Sequence, residues 1–410
     1  MPPHTVAPSS SLSLFDERVL ADPYPTYAAL RATGPAVHLE KHGVWAVPGY
    51  AEVQAVLQDP DTFTSMGGVA LTEQANTGFL ADSVVSRDGE EHARLRQVLA
   101  RRMGPRAISQ LREELSARAR RLVAEHTESG SFDAVALSRQ MVCDTIGHLV
   151  GLTEPEHTTL LGGTFDVFGP DNDRLSQALP EAAAMRAALE RAISREAVDP
   201  GSLAGAAYAA ADRGRLTEAE AVRLVCDYAA ASVDTTVLGL AETIARLAMD
   251  PVQWTRLRKD PNRAEAAFHE ALRLDAPIQG RGRIVTRTTD LGGMRIEAGE
   301  QVWLLYGSTG LDEHKWTRAD TYDLARPFVD RHLALGGGAH QCPGVSLALM
   351  QARCLLRALA HRCTHLELAG DPVRAVHNTV RGYSSAPVTV ETSPYAGDAT
   401  APHVTLRRPR

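Results

Sequence analysis

Cys342 stands between three consecutive glycines, Gly336 to Gly338, and an apolar run from Val345 to Leu359. Such glycines mark a turn, or a backbone that must approach something closely. The run is apolar apart from Ser346, Gln351, Arg353 and Arg357, so it reads as a buried helix. A cysteine just before that helix feels its partial positive end and free N–H groups. Both lower the thiol pKa and present one sulfur to a metal or an electrophile.

Three further groups bear on which of the two it is. Asp234-Thr235-Thr236 interrupts an apolar stretch; a threonine hydroxyl there can bond a preceding carbonyl and open the helix, and an acid beside the opening can relay protons. His92 and Arg96 lie at i and i+4 behind Asp88, a candidate N-cap, and two cationic donors on one face can hold carboxylates. Glu270 and Arg273 share a helical face. Taken singly, each has an ordinary reading as a solvent-facing polar stripe, exposed helical charges or a surface ion pair. A zinc site built from Cys342, His332, His340, Cys354, His361 and Cys363 lacks the close C-x-x-C pairing that structural zinc wants, and Cys354 falls on the buried run.

The elements that must position these residues are mostly helical. DPYPTYAALRATG reads as a short helix and AVHLEKHGVWAVPGY as a β-hairpin. From about Asp88 to Leu274 the pattern is helical, broken at Met103-Gly104-Pro105, Ser129-Gly130-Ser131, Phe168-Gly169-Pro170 and Asp199-Pro200-Gly201. TTDLGGMRIEAGEQVWLLYGS reads as strands, and TVRGYSSAPVTVE as another hairpin. The fold class is mainly α with small β-sheets, a single domain over residues 14–392 between a disordered start, 1–13, and a disordered tail, 393–410.

With 43 basic and 50 acidic residues in 410, the net charge of −7 gives no global field for nucleic acid or an anionic membrane. Five cysteines without a C-x-x-C pair suit a reducing compartment, and no signal-peptide pattern opens the chain; the expected location is cytoplasmic. Val222 to Ala248 carries Asp227, Asp234 and Glu242 and reads as a core helix rather than a membrane span.

In this order and with these separations, the four groups resemble the cytochromes P450 from about Asp22 to Val390. The loop Leu335 to Gly344 answers the family pattern F-G-x-G-x-H-x-C-x-G, with Leu335 where Phe is usual. The resemblance implies the P450 fold and haem b, with Cys342 as the axial thiolate of the iron. It implies Glu270 and Arg273 as the structural pair, and Asp234 with Thr235 as the oxygen-activating pair. His92, Arg96, Arg283 and His340 match positions that bind the haem propionates through charge-assisted bonds. Thiolate ligation favours O–O cleavage, which is why Cys rather than His belongs there. Ser232 replaces the usual Gly of the oxygen groove.

TGPAVHLEKHGVWAVPGYAEVQAVLQDPDTF, FDVFGPDN and NTVRGYSSAPV look like the bacterial group that oxidises para-substituted benzoic acids. In that group an Arg before the haem-facing helix and an Arg-Ser pair in the central helix help bind the substrate carboxylate. Met66, Cys226 and Asp227 stand in those places here, which argues against benzoate itself. A small, aromatic substrate is expected, walled by Phe165, Phe168, Ile278 and Tyr383, with Ala230 and Ala231 beside it. Asp227, about two turns and ~10 Å before Asp234, is expected to meet an amine or other donor on the substrate, or else an internal Arg or water.

P450 chemistry further implies O2, and ferredoxin with an NAD(P)H-ferredoxin reductase as electron donors. Arg101, Arg102, Arg106, Arg353 and Arg357 are candidates for a basic docking patch, or form an ordinary solvated face. Phenol coupling, nitration and peroxide-driven oxidation on the same fold stay open, as does a non-turnover haem sensor.

Overall fold

The computed structural model describes residues 8–152 and 166–393. The core is built around the helix Glu218–Met249, which starts at a capping box: the Thr217 hydroxyl accepts from the Glu220 N–H while Glu220 accepts from the Thr217 N–H. It packs on Ala134–Val150, a helix capped by Asp133 and ended by Gly151 at φ 97°. Arg112–Thr127 packs in turn on Val345–Arg362. One apolar cluster runs through all four helices. By length and composition Glu218–Met249 could cross a membrane, but 67% of its apolar window is buried inside the protein, as a core helix requires.

The main sheet among the described residues has the order Ser9–Ser10, Val37–Leu39, Val44–Val47, Gln301–Leu304, Arg281–Val285, Phe63–Thr64. The hairpin expected around Lys41-His42-Gly43 supplies its second and third strands, with Val37 opposite Ala46. Two expectations need correction. Residues 8–13 are not a disordered start, because Ser9–Ser10 pair parallel to His38–Leu39 and Ser10 O accepts from the Glu40 N–H. TVRGYSSAPVTVE is not a hairpin on itself. Gly382–Ser385 pairs with Val373–Ala375, whereas Pro387–Thr392 pairs with Cys363–Leu368 and Ser131–Asp133. Alternation identified both strands; Asp133 accepts from Ser385 Oγ and the Ala386 N–H, at the point where the chain passes from one sheet to the other. Most of the tail expected at 393–410 lies outside the described residues.

Candidate active site

The glycine loop closes on itself, with the Cys342 N–H donating to Leu335 O at 2.9 Å and the Gly336 N–H to Leu333 O at 2.9 Å. Gly336 and Gly338 have φ of 69° and 59°, the left-handed region that glycine enters freely. A Cβ at Gly338 would also run into the carbonyl of Leu57, so part of the need for glycine comes from the helix Tyr50–Gln58. Cys342 Sγ is approached by the N–H groups of Gly344 and Val345 at the start of Val345–Arg362. Burial nevertheless pushes the thiol up, outweighing those N–H groups and Arg96, where the helix terminus alone led to the opposite expectation. Burial disfavours the thiolate until a bound cation stabilises it.

His92, Arg96, Arg283 and His340 come together. The rings of His92 and His340 lie 4.2 Å apart, and both arginine charges reach His92. His92 is not the cation its spacing implied: burial, then His340 and Arg96, push it down to about 4. Arg96 donates to Gln341 O at 2.8 Å, and Arg283 to Gly282 O at 2.7 Å. Asp88 occupies the N-cap position but makes no capping bond. Its carboxylate instead accepts from Thr64 Oγ1 at 2.5 Å and the Ser65 N–H at 2.7 Å, and meets His340 Nε2 at 2.6 Å. Burial would raise the Asp88 carboxyl, but these bonds hold it at about 2. Sequence reasoning missed this use of Asp88 because its partners are distant in the chain.

On the central helix, Thr235 Oγ1 donates to Ala231 O at 2.8 Å and Ser232 Oγ to Tyr228 O at 2.6 Å. The Ser232 hydroxyl is thereby folded back into its own helix. Asp234 is buried with Oδ1 at 3.7 Å from Arg139, a partner no spacing revealed. Ala230 and Ala231 are exposed although the helix around them is buried, so an opening lies in the middle of the core. One turn earlier on this helix, the buried Tyr228 phenol is pushed up by burial and feels both Arg96 and Cys342.

Glu270 and Arg273 are not a surface pair. Both side chains are fully buried, with Nε–Oε2 at 2.7 Å, and Arg326 adds a bond to Glu270 Oε1 at 2.7 Å.

Comparison with known proteins bears directly on this arrangement. The family model for Cytochrome P450 matches residues 186–390. The chain is 35% identical over 375 residues to Cytochrome p450 CYP199A2 of Rhodopseudomonas palustris, covering 90% of this chain and 91% of that one. The chain belongs to the cytochrome P450 family. It is also 30% identical over 406 residues to Cytochrome P450 monooxygenase PikC of Streptomyces venezuelae, covering 96% and 97%. The crystal structure of CYP108D1 from Novosphingobium aromaticivorans superimposes with a TM-score of 0.80 over 93% of this chain and 97% of that one, at 24% identity, which establishes the P450 fold.

The P450 cofactor is haem b. The residues present fit it: a half-buried sulfur met by two N–H donors, two arginines with no carboxylate partner among the described residues, and an opening lined by alanines. The expected substrate wall fares unevenly. Phe165 lies outside the described residues. Met66 is 55% exposed, and Ile278 packs beside the sheet core. Tyr383 is buried under Arg374, which stacks at 3.8 Å and donates to its hydroxyl at 3.0 Å.

Of the two expectations for Asp227, the structure favours the internal arginine over the substrate donor. Its carboxylate accepts from Arg223 Nε at 2.8 Å, Ser83 Oγ at 2.8 Å and the Val84 N–H at 2.9 Å, so it is spent inside the protein rather than turned to a substrate. That arginine is Arg223, one turn before Asp227 in an i, i+4 pair. Phe168 carries a contact that no spacing suggested: the Arg281 guanidinium lies over its ring.

Proposed function

We propose that this P450 monooxygenase inserts one O2-derived oxygen into a small, aromatic substrate by hydroxylation or O- or N-dealkylation. Cys342 would supply the thiolate that holds the haem iron. His92, Arg96, Arg283 and His340 hold the propionates, Asp234 and Thr235 deliver protons, and Glu270 with Arg273 brace the fold behind the loop. The single observation that carries this reading is the opening at Ala230 and Ala231, one turn before Thr235, on the helix whose Tyr228 feels Cys342. When bound, haem supplies the iron at which O2 is reduced and cleaved. The chain contributes an acid and a hydroxyl on the helix facing that iron, and excludes bulk water by burying the helix on either side.

Electrons come from a ferredoxin served by an NAD(P)H-ferredoxin reductase, and the protein works in the cytoplasm. Among the five arginines of the candidate docking patch, Arg102 donates to Gly201 O, Arg353 pairs with Glu265, and Arg357 donates to Asn262 at 3.0 Å. Only Arg353 has a carboxylate partner among the described residues, so Arg101, Arg102 and Arg106, all exposed, and Arg357 keep the docking charge. The test is turnover with ferredoxin, reductase and NAD(P)H on small aromatic substrates under labelled dioxygen. One labelled oxygen per product supports the reading; product formed with peroxide alone, at the same rate and without reductase, overturns it.

A further inference from the structure

We propose that Arg281 is a specificity-determining residue that anchors a carboxylate of the substrate on the cavity wall. This deepens the monooxygenase reading and rests on it. Arg281 opens the strand Arg281–Val285, in which side chains alternate between the two faces. Arg281 and Arg283 therefore share a face. Gly282 lies on the other, where any Cβ would run into the carbonyl of Gly68. Since Arg283 belongs with His92 and Arg96 to the group that would hold the propionates, Arg281 lies on that same side of the sheet, two residues earlier.

Arg281 has an aromatic shelf and no acidic partner among the described residues. Its guanidinium stacks 3.7 Å above the Phe168 ring, which fixes the plane and leaves the edge of the fork free. Nη1 donates to Gly280 O at 2.8 Å. No carboxylate pairs with it among the described residues, and its electrostatic neighbours are Tyr306 and the like charge of Arg283. Burial, against the small help of Tyr306, pushes it down to about 10, so it stays cationic at neutral pH.

A count of charges isolates it further. Of the four residues that would hold the haem propionates, Arg96 and Arg283 carry the two charges that match them, and both otherwise bond only to backbone carbonyls. His340 is tied to Asp88, Asp227 to Arg223, and Asp234 to Arg139. Arg281 is left over. A half-buried guanidinium stacked on an aromatic ring and lacking a counter-charge gains from a carboxylate ligand that meets the free fork side-on with two parallel bonds. The acid would be held on the strand side of the cavity rather than from the central helix, where Cys226 and Asp227 offer it nothing.

The test uses the holoenzyme and its haem absorption shift on ligand binding, checked by calorimetry. Arylcarboxylates of increasing size are each paired with the matching primary amide, and titrated into wild type, Arg281→Gln and Arg281→Lys. The expected result is that the best acid binds wild type more tightly than its amide. Arg281→Gln should weaken the acid by about 10- to 150-fold while leaving the amide within about twofold, and Arg281→Lys should recover part of the loss. Equal losses for acid and amide, or no acid preferred by wild type, overturn the proposal. So does reduced haem retention in Arg281→Gln with the acid preference intact, which would make Arg281 a propionate donor only. Failure of the underlying reading looks different: wild type itself would then lack the thiolate signature in its reduced carbon monoxide spectrum.

Discussion

His269 Nδ1 lies 3.0 Å from His332 Nε2 in the core behind the glycine loop, joining the helix Ala264–Leu274 to the segment that leads to Cys342. The Ala334 N–H donates to His332 Nδ1 at 3.2 Å, so the network assigns the His332 proton to Nε2, where it is donated to His269. Both imidazoles are neutral in this arrangement, and protonating either breaks it.

An acid weakness follows from this pair. Burial lowers His269, against the pull of Asp330 and Glu265, and lowers His332 well below the ordinary value, aided by His269 and Arg273. Folded pKa values below the unfolded one mean that the contribution is complete above pH about 6.5 and is lost as the pH falls toward the folded values. The loss amounts to at most about 1.4 kcal/mol per pH unit for each imidazole. Urea unfolding followed between pH 7.5 and 5 should show this slope, and His269→Gln should flatten it while keeping a hydrogen-bonding side chain. Equal slopes in the two proteins would remove the pair as its source.

Cys342→His should abolish the long-wavelength thiolate band of the reduced carbon monoxide complex. Cys354, 3.4 Å from Ser116 Oγ, and Cys363, whose thiol burial pushes up to about 12, sit away from the loop in roles of packing. Replacing either by Ser or Ala should leave the band in place. A band surviving in Cys342→His would move the ligand elsewhere.

Thr235→Ala should keep NAD(P)H oxidation within a few-fold while sending most electrons to hydrogen peroxide. The variant removes the hydroxyl bonded to Ala231 O without disturbing the helix cap or the Asp234–Arg139 contact. Product per electron is the readout, and an unchanged ratio would take Thr235 out of proton delivery.

Local pattern made the helices, the central hairpin and the Cys342 loop legible, because period, turn residues and spacing are properties of neighbouring positions. What a side chain does with a distant partner is not. Glu270 and Arg273 share a helical face in the sequence, but only the meeting with Arg326 and the carbonyls of Ala319 and Thr321 reveals a pair buried to zero exposure. Asp88 and Asp227 both carried plausible local roles and were claimed by partners far along the chain. Arg281 was passed over although it stands two residues before Arg283, since an arginine in a strand is ordinary until its lack of a counter-charge is seen.

The last prediction concerns charges the sequence scattered and the fold collected. Asp275 accepts from Tyr24 Oη at 2.5 Å and Arg381 Nε at 2.8 Å, and its other oxygen lies 2.7 Å from Arg374 Nη1. The same Arg374 nitrogen lies 3.0 Å from Glu242 Oε2, and Arg246 Nε 2.7 Å from Glu242 Oε1. The cluster ties the helix Tyr24–Thr33, the central helix, the end of Ala264–Leu274 and the strands around Gly382. Burial would raise the Asp275 carboxyl, but Arg374, Arg381 and Arg246 overcome it and hold it below the usual range. Removing that charge strands the arginines in the core. Asp275→Asn should therefore cost about 3–5 kcal/mol in urea unfolding, whereas a surface pair such as Arg121–Glu125, at 62% and 56% side-chain exposure, should cost under about 1 kcal/mol. Arg374→Met should cost less in the Asp275→Asn background than in the wild type, because Arg374 has by then lost one of its two carboxylates and keeps only Glu242. Strict additivity of the two substitutions would mean that Asp275 stabilises the fold through Tyr24 and Arg381 alone.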